Sequence, residues 1–519
     1  MAMKKYIYFT VFAAGLTTLA VELSASRLLG NVFGTSNLVW ASIIGLILIY
    51  LAAGYFIGGR WADRSPYTRT MYTILLWGAF LSGLVPFASS PVLRTAASAF
   101  DRLEMAILFG SFTGVLILFS IPVTLLGMIS PFAIRLSIHD PKQAGTISGG
   151  IYAISTLGSF IGTFLPVLIL IPLIGTTRTF LVFSGFLTLV ALLGLWISSG
   201  FRVILPWLWM PALLVILAIT MTGRGIKATE GQIFETESAY NYIQVIERDG
   251  YRYLRLNEGQ GVHSVYHPED LIHYGPWMQV LAAPFFNPAP YNPDQVENLA
   301  IVGLAAGTTA RQATHVFGPI TIDGFEIDGK IIEVGKEFFA MTDPNLNAFA
   351  QDGRWGLERS EQQYSIISLD AYRPPYIPWH LTTQEFFQVV RERLKEDGVM
   401  VMNIGRAPED RRLVDGLVGT ISTVFPSIYV MDVPGSYNSV VYATVQPTQT
   451  ENLYNNIVYL ENEGNAHPLL IESLYLAAAY LQPTPQSTIV YTDDLAPIEW
   501  ITNQMVLNFI LYGDMEVFE

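Results

Sequence analysis

Four short stretches carry residues whose types and spacing can do chemistry together. Ile301-Val-Gly-Leu-Ala-Ala-Gly-Thr-Thr309 reads as a strand, a turn of small residues and the start of a helix. Gly303, Ala305 and Gly307 leave the backbone of that turn open to a ligand at a helix N-terminus. Glu326 ends the next strand, 19 residues after Gly307, where a carboxylate can accept both hydroxyls of a ribose. Asp352-Gly353 falls in a loop before the strand predicted at 364–369, and Asp370 ends that strand. Ligands of open α/β sheets bind beyond the carboxyl ends of the strands. The set predicts a nucleoside ligand. The alternative is structural: Gly and Ala turns also serve only to let a helix pack on a strand.

Metal chemistry finds little support. There is no cysteine, which excludes disulfides, thiolate zinc sites, iron–sulfur clusters and a cysteine nucleophile. His263, His267 and His273 are spaced four and six apart and share no helical face, so solvated loop positions and no metal are expected.

The elements that must hold the four stretches follow from periodicity. Tyr240–Glu247 and Tyr251–Leu256 alternate around Asp249-Gly250, a hairpin turn signal, and predict a small β-unit. After a Pro/Asn-rich linker, strands are predicted at 299–303, 320–327, 364–369 and 399–404. Helices are predicted at 308–317, 330–339, 383–395 and 409–424. Two further strands near 427–433 and 439–445, joined by Pro434-Gly435, form an antiparallel edge. The alternation predicts an α/β doubly wound, mainly parallel, methyltransferase-like Rossmann domain.

The first 227 residues are different. They hold 14 Lys and Arg against 5 Asp and Glu, a net +9, whereas residues 228–519 carry a net −23. Over the whole chain 51% of residues are hydrophobic and only 14% charged, which excludes disorder and argues against a fully soluble protein. Seven apolar stretches, about 6–30, 38–59, 70–90, 104–127, 145–173, 177–198 and 202–222, are each long enough to span a bilayer. Pro122 and Pro131 predict a break in the fourth. Gly158-Ser-Phe-Ile-Gly162 has the small-xxx-small spacing of close helix contacts. The predicted organisation is a transmembrane helical domain over 1–227, a small β-unit and linker over 228–294, a Rossmann-like nucleoside-binding domain over 295–445, and a C-terminal extension over 446–519.

The order of these motifs resembles the spermidine synthase (polyamine aminopropyltransferase) family from about 237 to 445. The helical half is similar to the segment fused to such domains in some bacterial proteins. Ser238-Ala-Tyr-Asn-Tyr-Ile-Gln-Val245 is similar to the family's opening Ser-x-Tyr-Gln-x-Ile-x-Val, with Asn241 in place of Gln. Gly303–Thr308 falls where the family has its glycine-rich turn. The resemblance implies that Glu326 binds the ribose, that Asp352 and Gly353 lie near the adenine, and that Asp370 is the general base. It further implies that Tyr274 lies on the substrate side, and that decarboxylated S-adenosylmethionine is a co-substrate with no tightly bound cofactor.

Three positions depart from the family. Ala306 stands where an aspartate holds the donor's charged amine, Arg373 where a second aspartate helps hold the diamine, and Pro276 at an acidic position two residues beyond Tyr274. The nucleoside pocket is expected to be kept and the acceptor pocket rebuilt. Within Tyr491-Thr-Asp-Asp-Leu-Ala-Pro-Ile-Glu499, Asp493, Asp494 and Glu499 can return negative charge to the acceptor side, or Asp494 can cap a helix.

Three functions stay open at this point. One is a membrane-anchored aminopropyltransferase with an altered acceptor pocket. Another is a methyltransferase that uses S-adenosylmethionine itself, and the third is a non-catalytic transporter or complex subunit. The expected partners are the lipid bilayer and a small amine, with a homodimer or membrane-complex partner as a further option, and no nucleic acid. A multi-pass protein of the inner (plasma) membrane is expected. Lys4 and Lys5 before the first span, and Arg60, Arg64 and Arg69 after the second, place the N-terminus in the cytoplasm. Seven full crossings then leave the acidic half outside. The cytosolic origin of sulfonium donors favours a cytoplasmic domain instead, which requires one non-spanning segment in the 104–138 region or an outside N-terminus.

Overall fold

The computed structural model describes residues 2–33, 37–100, 106–221, 229–257, 261–372, 376–407 and 410–512. Two compact units emerge: Met1–Thr229 with Glu235–Tyr242, and Glu230–Phe234 with Ile243–Glu519.

The first unit is helical. Its helices are α1 (Ala2–Phe33), α2 (Asn37–Arg64), α3 (Thr68–Phe100), α4 (Ala106–Gly127), α5 (Ile129–Ser137), α6 (Ala144–Leu165), α7 (Ile171–Ser199) and α8 (Trp209–Met221). Six long apolar stretches stand among the described residues where seven spans are expected. The difference lies in the fifth, Pro141–Ser199, whose 59 residues would extend about 90 Å at the helical rise. A bilayer core is only about 30 Å thick. Gly175, at φ +80°, breaks this stretch. It therefore holds both of the expected spans 145–173 and 177–198. The six stretches are compatible with a multi-pass membrane protein. The fourth is interrupted between α4 and α5, where Pro131 has no N–H to offer the Gly127 carbonyl.

Gly158 and Gly162 bring α6 onto the backbone of α1. A Cβ at Gly158 would lie 2.1 Å from the Phe12 carbonyl oxygen, and one at Gly162 2.1 Å from that of Leu16. Contact this close is how helices associate where water provides no drive. Gly158→Val and Gly162→Val are expected to destabilise the helical unit by about 1–3 kcal/mol each, as overpacking does. Melting curves in detergent check this, and an unchanged midpoint would contradict it.

The second fold element is a four-stranded sheet in the order β1 (Gln232–Glu237), β2 (Tyr242–Arg248), β3 (Tyr251–Leu256) and β4 (Val262–Tyr266). Asp249 and Gly250 both take positive φ at the β2–β3 turn, the conformation a tight hairpin needs. A single turn, α9 (Pro276–Gln279), leads to the main sheet. Its elements are β5 (Asn298–Val302), α10 (Thr308–Phe317), β6 (Thr321–Glu326), α11 (Gly329–Phe338), β7 (Leu346–Ala350) and α12 (Gly353–Arg359). They continue with β8 (Tyr364–Leu369), α13 (Gln384–Glu392), β9 (Leu394–Gly405), α14 (Arg412–Ser422), β10 (Ser427–Asp432) and β11 (Asn438–Thr444). The chain closes with α15 (Glu451–Glu463), α16 (Pro468–Ala479), β12 (Leu481–Gln482) and α17 (Ile498–Tyr512).

The sheet order is β12-β10-β11-β9-β8-β5-β6-β7. β5 pairs in parallel with both β6 and β8, so the chain reverses its direction of travel across the sheet between them. That is the switch point at which doubly wound sheets leave a crevice. The antiparallel β9–β11–β10 edge agrees with the sequence pattern.

Several local expectations need correction. The sequence pattern passes over β7, a short strand that is mostly exposed. Asp352, in the loop between β7 and α12, is also the N-cap of α12 and accepts the Trp355 N–H at 3.0 Å. α13 stops at Glu392 because β9 already begins at Leu394. Residues 446–512 pack on the α/β domain. β12 hydrogen-bonds to β10, and Leu453, Leu460, Leu469 and Leu474 sit in one core with Leu299, Ile301 and Ile366. Burial against that shared core is what holds α15 and α16 to the domain.

Candidate active site

Four strand ends meet at one edge. Gly303 follows β5, Glu326 ends β6, Asp352 comes two residues after β7, and Asp370 follows β8. The register puts Val302 beside both Phe325 and Leu369, and Glu326 beside Ala350.

The β5–α10 turn is bent by Gly303 (φ +90°), Ala305 (φ +48°) and Gly307 (φ +86°). Gly303 is required twice, by its left-handed backbone and because a Cβ there would lie 2.5 Å from the Asp370 carbonyl oxygen. Gly307 is the left-handed N-cap of α10. The turn is tied to β6: Gly303 N–H donates to the Phe325 carbonyl at 2.9 Å and Ala305 N–H to Glu326 Oε2 at 3.0 Å. Glu326 Oε1 accepts the Asp328 N–H at 3.1 Å. Only 8% exposed, the Glu326 carboxyl is pushed up to about 7 by burial, against the pull of these backbone donors.

A cavity of about 330 Å³ opens beside this turn. Gly303, Ala305 and Asp370 line it, together with Tyr274. Asp370 Oδ1 accepts the Asn403 side-chain N–H at 2.8 Å, and burial raises its carboxyl to about 6 despite that bond. The Tyr274 ring is 64% exposed, with its hydroxyl 3.5 Å from Glu472 Oε1.

Gly307, Glu326, Asp352 and Gly353 are not among the residues that line the cavity. Gly353 packs on the end of β5, where a Cβ would lie 2.4 Å from Val302 Cγ1. Asp352 Oδ2 lies 2.9 Å from His380 Nε2, and that partner holds its carboxyl below the usual range. Asn241 lies before β2, its N–H donating to Ser238 Oγ at 2.8 Å, and is not among the lining residues. Ala306 packs in an apolar cluster with Ile331 and Val334, its N–H donating to Ser264 Oγ at 2.9 Å. Pro276 lines the cavity, whereas Arg373 lies outside the described residues.

The acids near the C-terminus do not join the cavity. Asp493 forms a two-pronged ion pair with Arg354 of α12, both contacts at 2.7 Å, and accepts the Thr383 hydroxyl. Its charge is spent bracing α12 and α13. Asp494 is exposed, and α17 begins four residues later at Ile498, so Asp494 is not its cap. Glu499 sits in the first turn of α17. None of the three lines the cavity.

The histidine expectation is wrong in its setting. His263 lies on β4 and lines the cavity, and His273 is 7% exposed. Among the described residues there is no cluster of metal-ligating side chains. Asn403 was legible only as a polar residue inside the apolar run of β9, and Tyr372, whose hydroxyl donates to the Asn403 carbonyl at 3.2 Å, gave no signal.

The sheet order, the glycine turn and the acids at its carboxyl edge define a doubly wound α/β domain of the methyltransferase-like class. The spermine/spermidine synthase family model matches residues 288–456. Over those residues the α/β half is similar to spermine/spermidine synthase domains. It is 30% identical over 280 residues to a probable polyamine aminopropyl transferase of Bifidobacterium longum, a match covering 51% of this chain and 61% of that one. It is 23% identical over 471 residues to polyamine aminopropyltransferase 2 of Aquifex aeolicus, covering 87% of this chain and 89% of that one. Among solved structures, a probable spermidine synthase from Corynebacterium glutamicum superposes with TM-score 0.39 and 17% identity, over 45% of this chain and 88% of the other.

Proposed function

We propose that the chain is a membrane-anchored aminopropyltransferase that takes decarboxylated S-adenosylmethionine as donor and an amine as acceptor. The observation that carries this reading is the placement of Asp370, raised to about 6, in one cavity with the glycine turn that Glu326 braces.

In this reading the adenosine lies along the turn from Gly303 to Gly307. Glu326 accepts the ribose hydroxyls, and Asp352 and Gly353 lie toward the base. The amine nitrogen attacks the aminopropyl carbon next to the sulfonium. The carbon–sulfur bond breaks and its electron pair stays on sulfur, leaving neutral methylthioadenosine. The acceptor arrives as an ammonium and gives a proton to Asp370 before the attack, and the new nitrogen–carbon bond leaves the product's secondary ammonium. A carboxyl raised to about 6 is ionised at pH 7 and a better proton acceptor than an ordinary aspartate. The donor is already activated, so positioning supplies much of the rest.

The test is methylthioadenosine release by the full chain in detergent, with decarboxylated S-adenosylmethionine compared against S-adenosylmethionine. Release from the decarboxylated donor alone is expected. Methyl transfer from S-adenosylmethionine, with no release from the other, would replace this reading with a methyltransferase. Because binding to ribose favours ionised Glu326, nucleoside affinity should rise with pH up to about 7 and level off above it. A flat profile from pH 5.5 to 8, a range of about two and a half units around that value, would contradict the assignment of Glu326.

We place the α/β domain in the cytoplasm and the helices in the plasma membrane, because sulfonium nucleosides are cytosolic. Protease added to sealed right-side-out vesicles should leave the domain intact, and added to inverted vesicles should digest it. The opposite pattern would overturn this placement.

A further inference from the structure

The cavity carries a feature that the reaction as described does not use. β3 and β4 pair Leu254 with Ser264 and then Arg255 with Val262, so His263 is an extra residue in β4. Such a bulge re-aims a side chain. In an unbroken strand, Val262 and Ser264 would face one side and His263 the other. Here all three line the same cavity.

His263 Nε2 is buried and has no hydrogen-bond partner among the described residues. Burial pushes its imidazole down to about 4, so it is neutral at pH 7. The Asn403 Oδ1 in the same cavity is likewise buried without a partner. Buried polar atoms left unpaired are costly and rare, and they mark positions where a ligand can supply the missing bond. The charge inventory points the same way. Among the described lining residues Asp370 is the one carboxylate, and Asn403, Ser436, Asn438 and Tyr274 offer neutral polar groups. One carboxylate matches one ammonium. A second buried ammonium would meet only neutral partners, which is unfavourable.

We propose that the acceptor is an amino alcohol, a chain with one ammonium held at Asp370 and a terminal hydroxyl hydrogen-bonded to His263 Nε2. A hydroxyl both donates and accepts, so it suits either tautomer of the ring. This rests on the aminopropyl-transfer reading above and names its substrate class.

The test uses the full chain in detergent, saturated with methylthioadenosine, and titrates aminobutanol against putrescine, which has the same length. Aminobutanol should bind at least about tenfold more tightly, the scale of one well-made hydrogen bond against an unpaired buried charge. His263→Ala should erase that difference, and His263→Asp should reverse it toward putrescine. Unchanged methylthioadenosine affinity in both variants confirms that they fold. Tighter binding of putrescine by the native chain, or an amine preference that His263→Ala does not move, would overturn the inference. So would loss of amine binding in Glu472→Gln, because that would place the second charge partner beside Tyr274. If methylthioadenosine itself fails to bind, the transfer reading falls and this inference with it. If it binds and no amine is distinguished, this inference alone falls.

Discussion

Asp370→Asn is expected to lower the rate of aminopropyl transfer by about a thousandfold, the middle of the range for losing a positioned general base, while methylthioadenosine binds nearly as before. The substitution keeps the shape of the side chain. An asparagine oxygen can still accept the Asn403 N–H that now lies 2.8 Å from Asp370 Oδ1, so the strand end stays in place. What is lost is the negative charge. Asp370 is the carboxylate that lines the cavity among the described residues, and in the proposed reaction it both attracts the ammonium and takes up its proton. The native rate should rise with pH through about 6, as the base ionises. The variant should lack that limb. Single-turnover measurements separate the chemical step from binding. A loss smaller than about tenfold would remove Asp370 from the base role.

The second large effect concerns the nucleoside. Glu326→Gln should weaken methylthioadenosine binding by about a hundredfold, as two charge-assisted hydrogen bonds to the ribose become one neutral bond and one mismatch. Glutamine keeps an oxygen for the Ala305 N–H, so the turn need not collapse. The pH dependence of affinity should disappear with the carboxyl. Calorimetry on the full chain measures both. Affinity within about threefold of native, with the pH profile intact, would show that Glu326 only braces the turn.

Much of this arrangement is legible in the sequence because it is local. Ile301–Thr309 contains its own strand, turn and helix start, and α10 runs over the residues that periodicity predicts. Asp370 at the end of an apolar strand is equally plain. The features that escaped are set by partners distant in sequence. Val262-His263-Ser264 looks like ordinary alternation, and only the pairing of β4 with β3 reveals the extra residue. Asp493 is an unpaired acid until Arg354, 139 residues away, is brought against it. The break at Gly175, by contrast, falls between the expected spans 145–173 and 177–198, where Thr176, Thr177 and Arg178 interrupt the apolar run. The shared core that takes in α15 and α16 is invisible to any window shorter than the domain.

Calorimetric titration of the full chain with methylthioadenosine, repeated in the presence of decarboxylated S-adenosylmethionine, tests the central claim most directly. One binding event per chain, abolished by the competing sulfonium and weakened by Glu326→Gln, is the predicted outcome. A folded protein that releases no heat with either adenosyl compound, or that binds them indifferently to the change at Glu326, would contradict it.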